Sequence, residues 1–157
     1  MPTDPCLHVV LYEPEIPPNT GNAGRLCLGI GARLHLVHPL GFDVDAKAVR
    51  RAGLDYWKHV DLQEHADGDA FWAWATGRRT FLFSAKGTAP YTAPTYERGD
   101  VLVFGCETRG LPEELVARHG AFTIPMTGPI RSLNLSNAVA VVTYGALADV
   151  EPGLFAG

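Results

Sequence analysis

Short apolar runs alternate along this chain with longer amphipathic ones, and Gly/Pro-rich stretches separate them. LHVVLY (7–12) stops at prolines and reads as a first strand. Thr20 to Gly31 reads as a helix capped by Asn19 or Thr20. RLHLVHP (33–39) alternates and ends at Pro39, a second strand. Ala46 to Arg51 predicts a short helix closed by Gly53, and residues 56–62 a weak strand. DGDAFWAWAT (67–76) reads as a helix carrying Phe71, Trp72 and Trp74, and RTFLFSA (79–85) as a strand. A loop over 86–99, rich in Pro, Thr and Gly, leads to DVLVFGCE (100–107), a buried strand. Leu111 to Arg118 is a short helix with Pro112 in its first turn. AFTIP (121–125) is a last short strand, Ser136 to Asp149 the final helix, and the tail after Pro152 is expected to fray.

Strands alternating with helices predict an α/β fold with a mostly parallel sheet. Such sheets bind ligands beyond the carboxyl ends of their strands. The 157 residues suit one domain over 1–157, with an ordered core of about 7–149. With 46% hydrophobic and 19% charged residues the balance is globular. No apolar run reaches the ~18–20 residues of a membrane span, and MPTDPCLH lacks the marks of a signal peptide. A cytoplasmic protein with no membrane contact is expected. Cys6, Cys27 and Cys106 fit no zinc spacing and read as small apolar filler in a reducing compartment. The histidines show no metal-ligand spacing either, so no metal is expected.

The net charge of −4, from 13 Lys+Arg against 17 Asp+Glu, argues against a generic nucleic-acid coat protein. A local basic patch remains open, because Arg25, Arg33, Lys47, Arg50, Arg51 and Lys58 crowd residues 25–58.

Candidate chemistry lies in three Gly-rich loops, each after a predicted strand. IPPNTGNAGRLC (16–27) offers Asn19, Asn22 and Arg25 at a helix start, suited to an anionic or hydroxyl-bearing ligand. VLVFGCETRGLP (101–112) offers Gly105 for close main-chain approach and Glu107 in a polar turn. IPMTGPIRSLNLSNAVAVVTY (124–144) puts Arg131, Ser132, Asn134, Ser136 and Asn137 within seven positions. A helix entrance needs one capping group, not five, so the surplus suggests a pocket. There is no P-loop, and GIGARL (29–34) precedes a strand rather than following one, which argues against a dinucleotide fold.

Taken together, LYEPEIPPNTGNAGRLC, RRAGLDYW, KGTAPY, FGCETRGLP and IPMTGPIRSLNLSNAVAVVTY resemble the SPOUT class of RNA methyltransferases. The resemblance runs from about Val9 to about Ala148 and is nearest to the minimal tRNA wobble-position (cytidine/uridine) ribose 2′-O-methyltransferase group. It implies a single SPOUT domain whose C-terminal segment forms a trefoil knot, a homodimer, S-adenosyl-L-methionine as methyl donor and tRNA as substrate. S-adenosyl-L-homocysteine would be the product. Carried over residue by residue, it implies a cofactor pocket of Phe83, Gly105, Ile124, Ser132 and Leu133. Arg25, Asn19, Ser132 and Asn134 would be the catalytic group around the target ribose, with Glu107 and Tyr144 also at family positions. Two departures stand out. TGPI at 127–130 replaces a more acidic stretch, and Ala23-Gly24 replaces bulkier apolar residues, with a looser first helix as the expected result.

The implied reaction is in-line attack of a ribose 2′-hydroxyl on a sulfonium methyl, where positioning is the main resource. A charged guanidinium has no lone pair to act as a base. Arg25 is therefore expected to clamp the neighbouring phosphate and stabilise a developing alkoxide. RNA contact is expected from Arg25, Arg50, Arg51, Lys86, Arg109 and Arg131, completed across the dimer. Tyr56, Trp57 and Tyr91 are candidates to stack on bases, with core packing the competing role for Trp57. The alternatives are 2′-O-methylation elsewhere in tRNA or rRNA, a non-catalytic cofactor- or RNA-binding member of the fold, and a flavodoxin-like nucleotide module.

Overall fold

The computed structural model describes residues 4–44, 47, 49, 51 and 54–157. Within them seven strands form one sheet in which every pairing is parallel. They are β1 (His8–Tyr12), β2 (Arg33–Val37), β3 (Leu62–His65), β4 (Thr80–Phe83), β5 (Ala89–Pro90), β6 (Val101–Phe104) and β7 (Phe122–Thr123). The spatial order is β3-β2-β1-β6-β4-β7-β5. The α/β class and the parallel sheet are those the pattern predicts. The central strands β1 and β6 are buried at every position, which is why they read as unbroken apolar runs.

Helices α1 (Pro17–Ile30) and α4 (Leu135–Val150) cover one face, over Val9, Leu11, Leu34, Leu36, Leu102 and Phe104. Helices α2 (Gly68–Ala75) and α3 (Glu113–His119) cover the other, over Val10, Tyr12, Val37, Leu82, Val101 and Val103. Cys6 and Cys27 are fully inside the first core, and burial pushes both thiols up in pKa, as filler residues should be.

Several boundaries move for identifiable reasons. Half of the short helix expected over 46–51, Arg50 included, lies outside the described residues. The strand expected over 56–62 is instead a 3-10 turn, Leu54–His59, followed by β3 from Leu62. Its apolar residue Trp57 serves α1 rather than the sheet. A Cβ at Gly24 would fall 2.6 Å from the Trp57 ring and 3.3 Å from Val60. Gly24 is thus the flat spot that lets the turn dock, and the expectation that it loosens α1 is corrected. The 86–99 loop contains β5, whose Pro90 sits in the edge strand of the sheet, where a missing N–H is tolerated. The tail forms a 3-10 turn at Pro152–Leu154 rather than fraying at once, but Leu154 and Phe155 stay exposed.

On the α2 side, three buried histidines on adjacent strands form a hydrogen-bonded row. His8 Nδ1 lies 2.8 Å from His35 Nε2, and His35 Nδ1 lies 2.9 Å from His65 Nε2. Trp74 of α2 packs over all three rings. Nothing in the alternation of RLHLVHP distinguishes His35 from a surface residue.

Candidate functional site

A cavity of about 1000 Å³ opens at the carboxyl ends of β4, β6 and β7. The segments that follow these strands line it, together with the start of α4 and Ile16 and Asn19 of α1. The two later Gly-rich loops therefore converge as predicted, and the first joins them through its N-terminal end.

Phe83, Gly105, Ile124, Ser132 and Leu133 all lie on the cavity wall, as do Asn19 and Asn134. At Gly105 a Cβ would come 2.2 Å from the carbonyl carbon of Gly110 and the nitrogen of Leu111. The loop can close this tightly, with main chain forming the wall, only because residue 105 has no side chain. Lys86, Arg109 and Arg131 also line the cavity. Lys86 forms a solvent-exposed ion pair there with Glu113 at 2.9 Å, and Arg109 stands 3.9 Å from Glu13. Arg25 and Arg51 are exposed and do not line it. Arg25 stands six residues beyond Asn19, about 9 Å along the helix.

The first loop is tied to the second. The Glu107 carboxylate accepts hydrogen bonds from the backbone N–H of Glu15 (2.8 Å) and Ile16 (2.7 Å), and from Asn19 Nδ2 (3.2 Å). In return, the Glu15 carboxylate accepts from the N–H and hydroxyl of Thr108, at 3.1 and 2.6 Å. The Thr108 bonds hold the Glu15 carboxyl below the usual carboxylate range.

This tie corrects the picture of α1 as an anion-binding terminus. The helix starts at Pro17 and Pro18, which carry no N–H, and its N-cap Ile16 offers no capping side chain. Glu107 already places a negative charge there. Asn19 is buried, with its amide nitrogen committed to Glu107.

At α4 the polar surplus divides. Asn134 Oδ1 accepts from the Ser136 N–H (2.9 Å) and hydroxyl (2.7 Å) and is the helix cap. Asn134 and Ser136 thus account for each other structurally. Arg131 and Ser132 are left exposed over the cavity. Sequence reasoning missed Glu15 and Thr108. Their partners stand 92 and 93 positions away, and no local signal marks them.

Among the stacking candidates, Trp57 is taken up by Gly24, and the Tyr91 ring packs against Gly145 of α4. Tyr56 remains exposed, 5.5 Å beneath the Arg25 guanidinium. On α4, Val139, Val142 and Leu147 are buried within the chain, whereas Val141 and Tyr144 are exposed. Among the described residues no group of His, Cys, Asp and Glu could hold a metal ion, and no helix is long and apolar enough to cross a membrane.

The model of the SpoU rRNA methylase family matches residues 6–144. The chain belongs to the SpoU methylase family. Among its SpoU relatives, the tRNA (cytidine(34)-2'-O)-methyltransferase of Methylovorus glucosotrophus is 50% identical over 144 residues, covering 88% of this chain and 92% of that protein. A solved structure described as giving insight into the 2-OH methylation of C/U34 on tRNA superposes with a TM-score of 0.89 at 50% identity, covering 91% of this chain and 95% of that one. An AdoMet-bound rRNA methyltransferase from Sinorhizobium meliloti superposes with a TM-score of 0.81 at 28% identity, covering 93% of this chain and 57% of that one. The three loops that wall the cavity all fall inside the SpoU match.

Proposed function

We propose that this protein transfers a methyl group from S-adenosyl-L-methionine to the ribose 2′-hydroxyl of the wobble nucleotide, C or U at position 34, of tRNA. The observation that carries the reading is the near-full-length 50% identity to a tRNA (cytidine(34)-2'-O)-methyltransferase, joined to a large cavity at the loops that carry the shared motifs.

The cavity's chemistry suits the cofactor. Phe104, Leu111 and Ile124 give it apolar wall for a flat heterocycle, and the tight Gly105 turn brings main chain to its surface. In this reading Phe83, Gly105, Ile124, Ser132 and Leu133 hold the cofactor. When bound, it supplies an electrophilic methyl on a sulfonium. Ser132 and Asn134, both on the cavity wall, would contact the target ribose. Asn19, fixed by Glu107, closes the wall on the α1 side. Arg25 clamps the phosphate beside the target ribose and stabilises the oxygen as its proton departs to phosphate or water.

The C-terminal segment, α4 included, would pass through an earlier loop as the trefoil knot typical of the fold. The protein would act as a homodimer, with Val141 and Tyr144, outward on α4, offering apolar surface to a second copy. The dimer would join Arg25, Arg51, Arg109 and Arg131 into an RNA-facing basic surface that an acidic monomer lacks.

The deciding experiment is transfer of labelled methyl to tRNA that lacks wobble ribose methylation, with the product nucleotide mapped. Label on the 2′-oxygen of nucleotide 34 is expected. Label on another nucleotide keeps the chemistry and overturns the substrate position. Cofactor binding without transfer to any RNA overturns the catalytic reading.

A further inference from the structure

Tyr56 and Trp57, at the end of the RRAGLDYW motif, do not line the cavity, yet they are held against α1 with a definite register. Gly24 receives the Trp57 ring edge-on, and any Cβ there would collide with it at 2.6 Å. A hydrogen bond from Val60 N–H to Trp57 C=O, at 3.1 Å, closes the turn behind the ring. Residue 25 follows the flat spot and residue 56 precedes the ring that fills it. Docking Trp57 on Gly24 therefore sets Tyr56 against Arg25.

The result is a guanidinium 5.5 Å from the centroid of the Tyr56 ring. That is within the range of a cation–π contact. Among the described residues no carboxylate pairs with Arg25, so the ring is the surface that restrains it. An exposed arginine otherwise samples many rotamers, and ordering such a side chain at the moment of binding costs free energy. A ring platform lowers that cost without neutralising the charge, which a carboxylate would do. Tyr56 is itself 47% exposed, so the platform is open to a ligand from solvent.

We infer that Tyr56 is a positioning residue for methyl transfer, holding the Arg25 guanidinium ready for the phosphate beside the target ribose. This rests on the reading of Arg25 as the phosphate clamp. The competing role for an exposed tyrosine is to stack on an anticodon base, which would act on tRNA affinity and not through Arg25.

A double-mutant cycle separates them. Tyr56→Leu is expected to lower kcat about two- to five-fold, the range of an exposed cation–π contact, with little change in KM for tRNA. Tyr56→Phe keeps the ring face and is expected to recover most of that loss. In an Arg25→Ala background, Tyr56→Leu is expected to add nothing. The inference is overturned if Tyr56→Leu raises KM and leaves kcat alone, or if its effect is undiminished without Arg25. Full turnover by Arg25→Ala alone would instead overturn the underlying reading of Arg25, and the inference with it. Side-chain Nε–H shifts of Arg25 give a readout apart from activity. Loss of the ring current in Tyr56→Leu and its retention in Tyr56→Phe are expected, and an unmoved signal in Tyr56→Leu would refute the contact.

Discussion

The starts of α1 and α4 look alike in sequence, each a Gly/Pro loop running into a polar cluster and then an apolar helix, yet they are built in opposite ways. Helix α4 caps itself. Asn134 takes the Ser136 N–H two residues on, and the cap is complete within the motif. Helix α1 brings no cap of its own. Two prolines remove the donors of its first positions, and a carboxylate from residue 107 fixes the approach. A local cap leaves the neighbouring Arg131 and Ser132 free to face the cavity. A distant cap welds the first motif to the second and uses up Asn19 in doing so.

The largest expected effect comes from cutting the weld. Glu107→Ala removes the acceptor for three donors, one of them on buried Asn19, and should cost about 2–3 kcal/mol in a denaturant titration. Methyl transfer should fall with it, because Asn19 and Ile16 line the cavity. A loss below about 0.5 kcal/mol would mean that the first loop holds its place without Glu107. The next effect is local. Asn134→Ala should cost about 1 kcal/mol, and Asn134→Asp or Ser should restore most of it. An equal loss in Asn134→Asp would show that Asn134 is not acting as a cap.

Acid sharpens the contrast further. Glu15 has its carboxyl lowered below 4.5 by Thr108, so its contribution is complete above that value. The contribution is lost as pH falls below 4.5 through the lowered folded value. An amide cap does not titrate. Hydrogen-exchange protection at the Thr108 N–H should therefore decline before that at the Ser136 N–H. Parallel decline would erase the distinction. The smallest effect is expected of Pro17→Ala, within about 1 kcal/mol, since Glu107 and not the proline anchors the approach. A larger loss in thermal melts would shift the weight back to the prolines.

What could be read from the sequence follows the same division. The parallel sheet, the helix over DGDAFWAWAT and the cavity loops all rest on periodicity and composition within a dozen residues. The Asn134 cap was also within local reach, but its partner Ser136 counted instead toward a polar surplus. The ties between Glu15 and Thr108 and between Glu107 and the α1 approach join positions about ninety apart, and only the folded sheet brings them together. Gly24 misled for a related reason. In an isolated helix glycine is a weakness, whereas here it is the footprint of a ring from residue 57. RRAGLDYW was legible as a motif, but its use depends on contact with a helix some thirty residues earlier.

The row of histidines under Trp74 has a consequence for the whole molecule. Two hydrogen bonds through three neutral rings require each ring to carry its proton on the same nitrogen, all Nδ1 or all Nε2. A proton added to the central ring, His35, leaves one of the two bonds without an acceptor. Burial, the first cause in each case, depresses all three, His8 to about 4 and His35 to about 2. An unfolded chain takes up those protons near pH 6.5, so the folded state loses ground as soon as pH drops below that value. The loss approaches about 1.4 kcal/mol per pH unit for each ring until the folded pKa is reached. Acid thus weakens the fold from one flank of the sheet, between edge strand β3 and β1, away from the cavity.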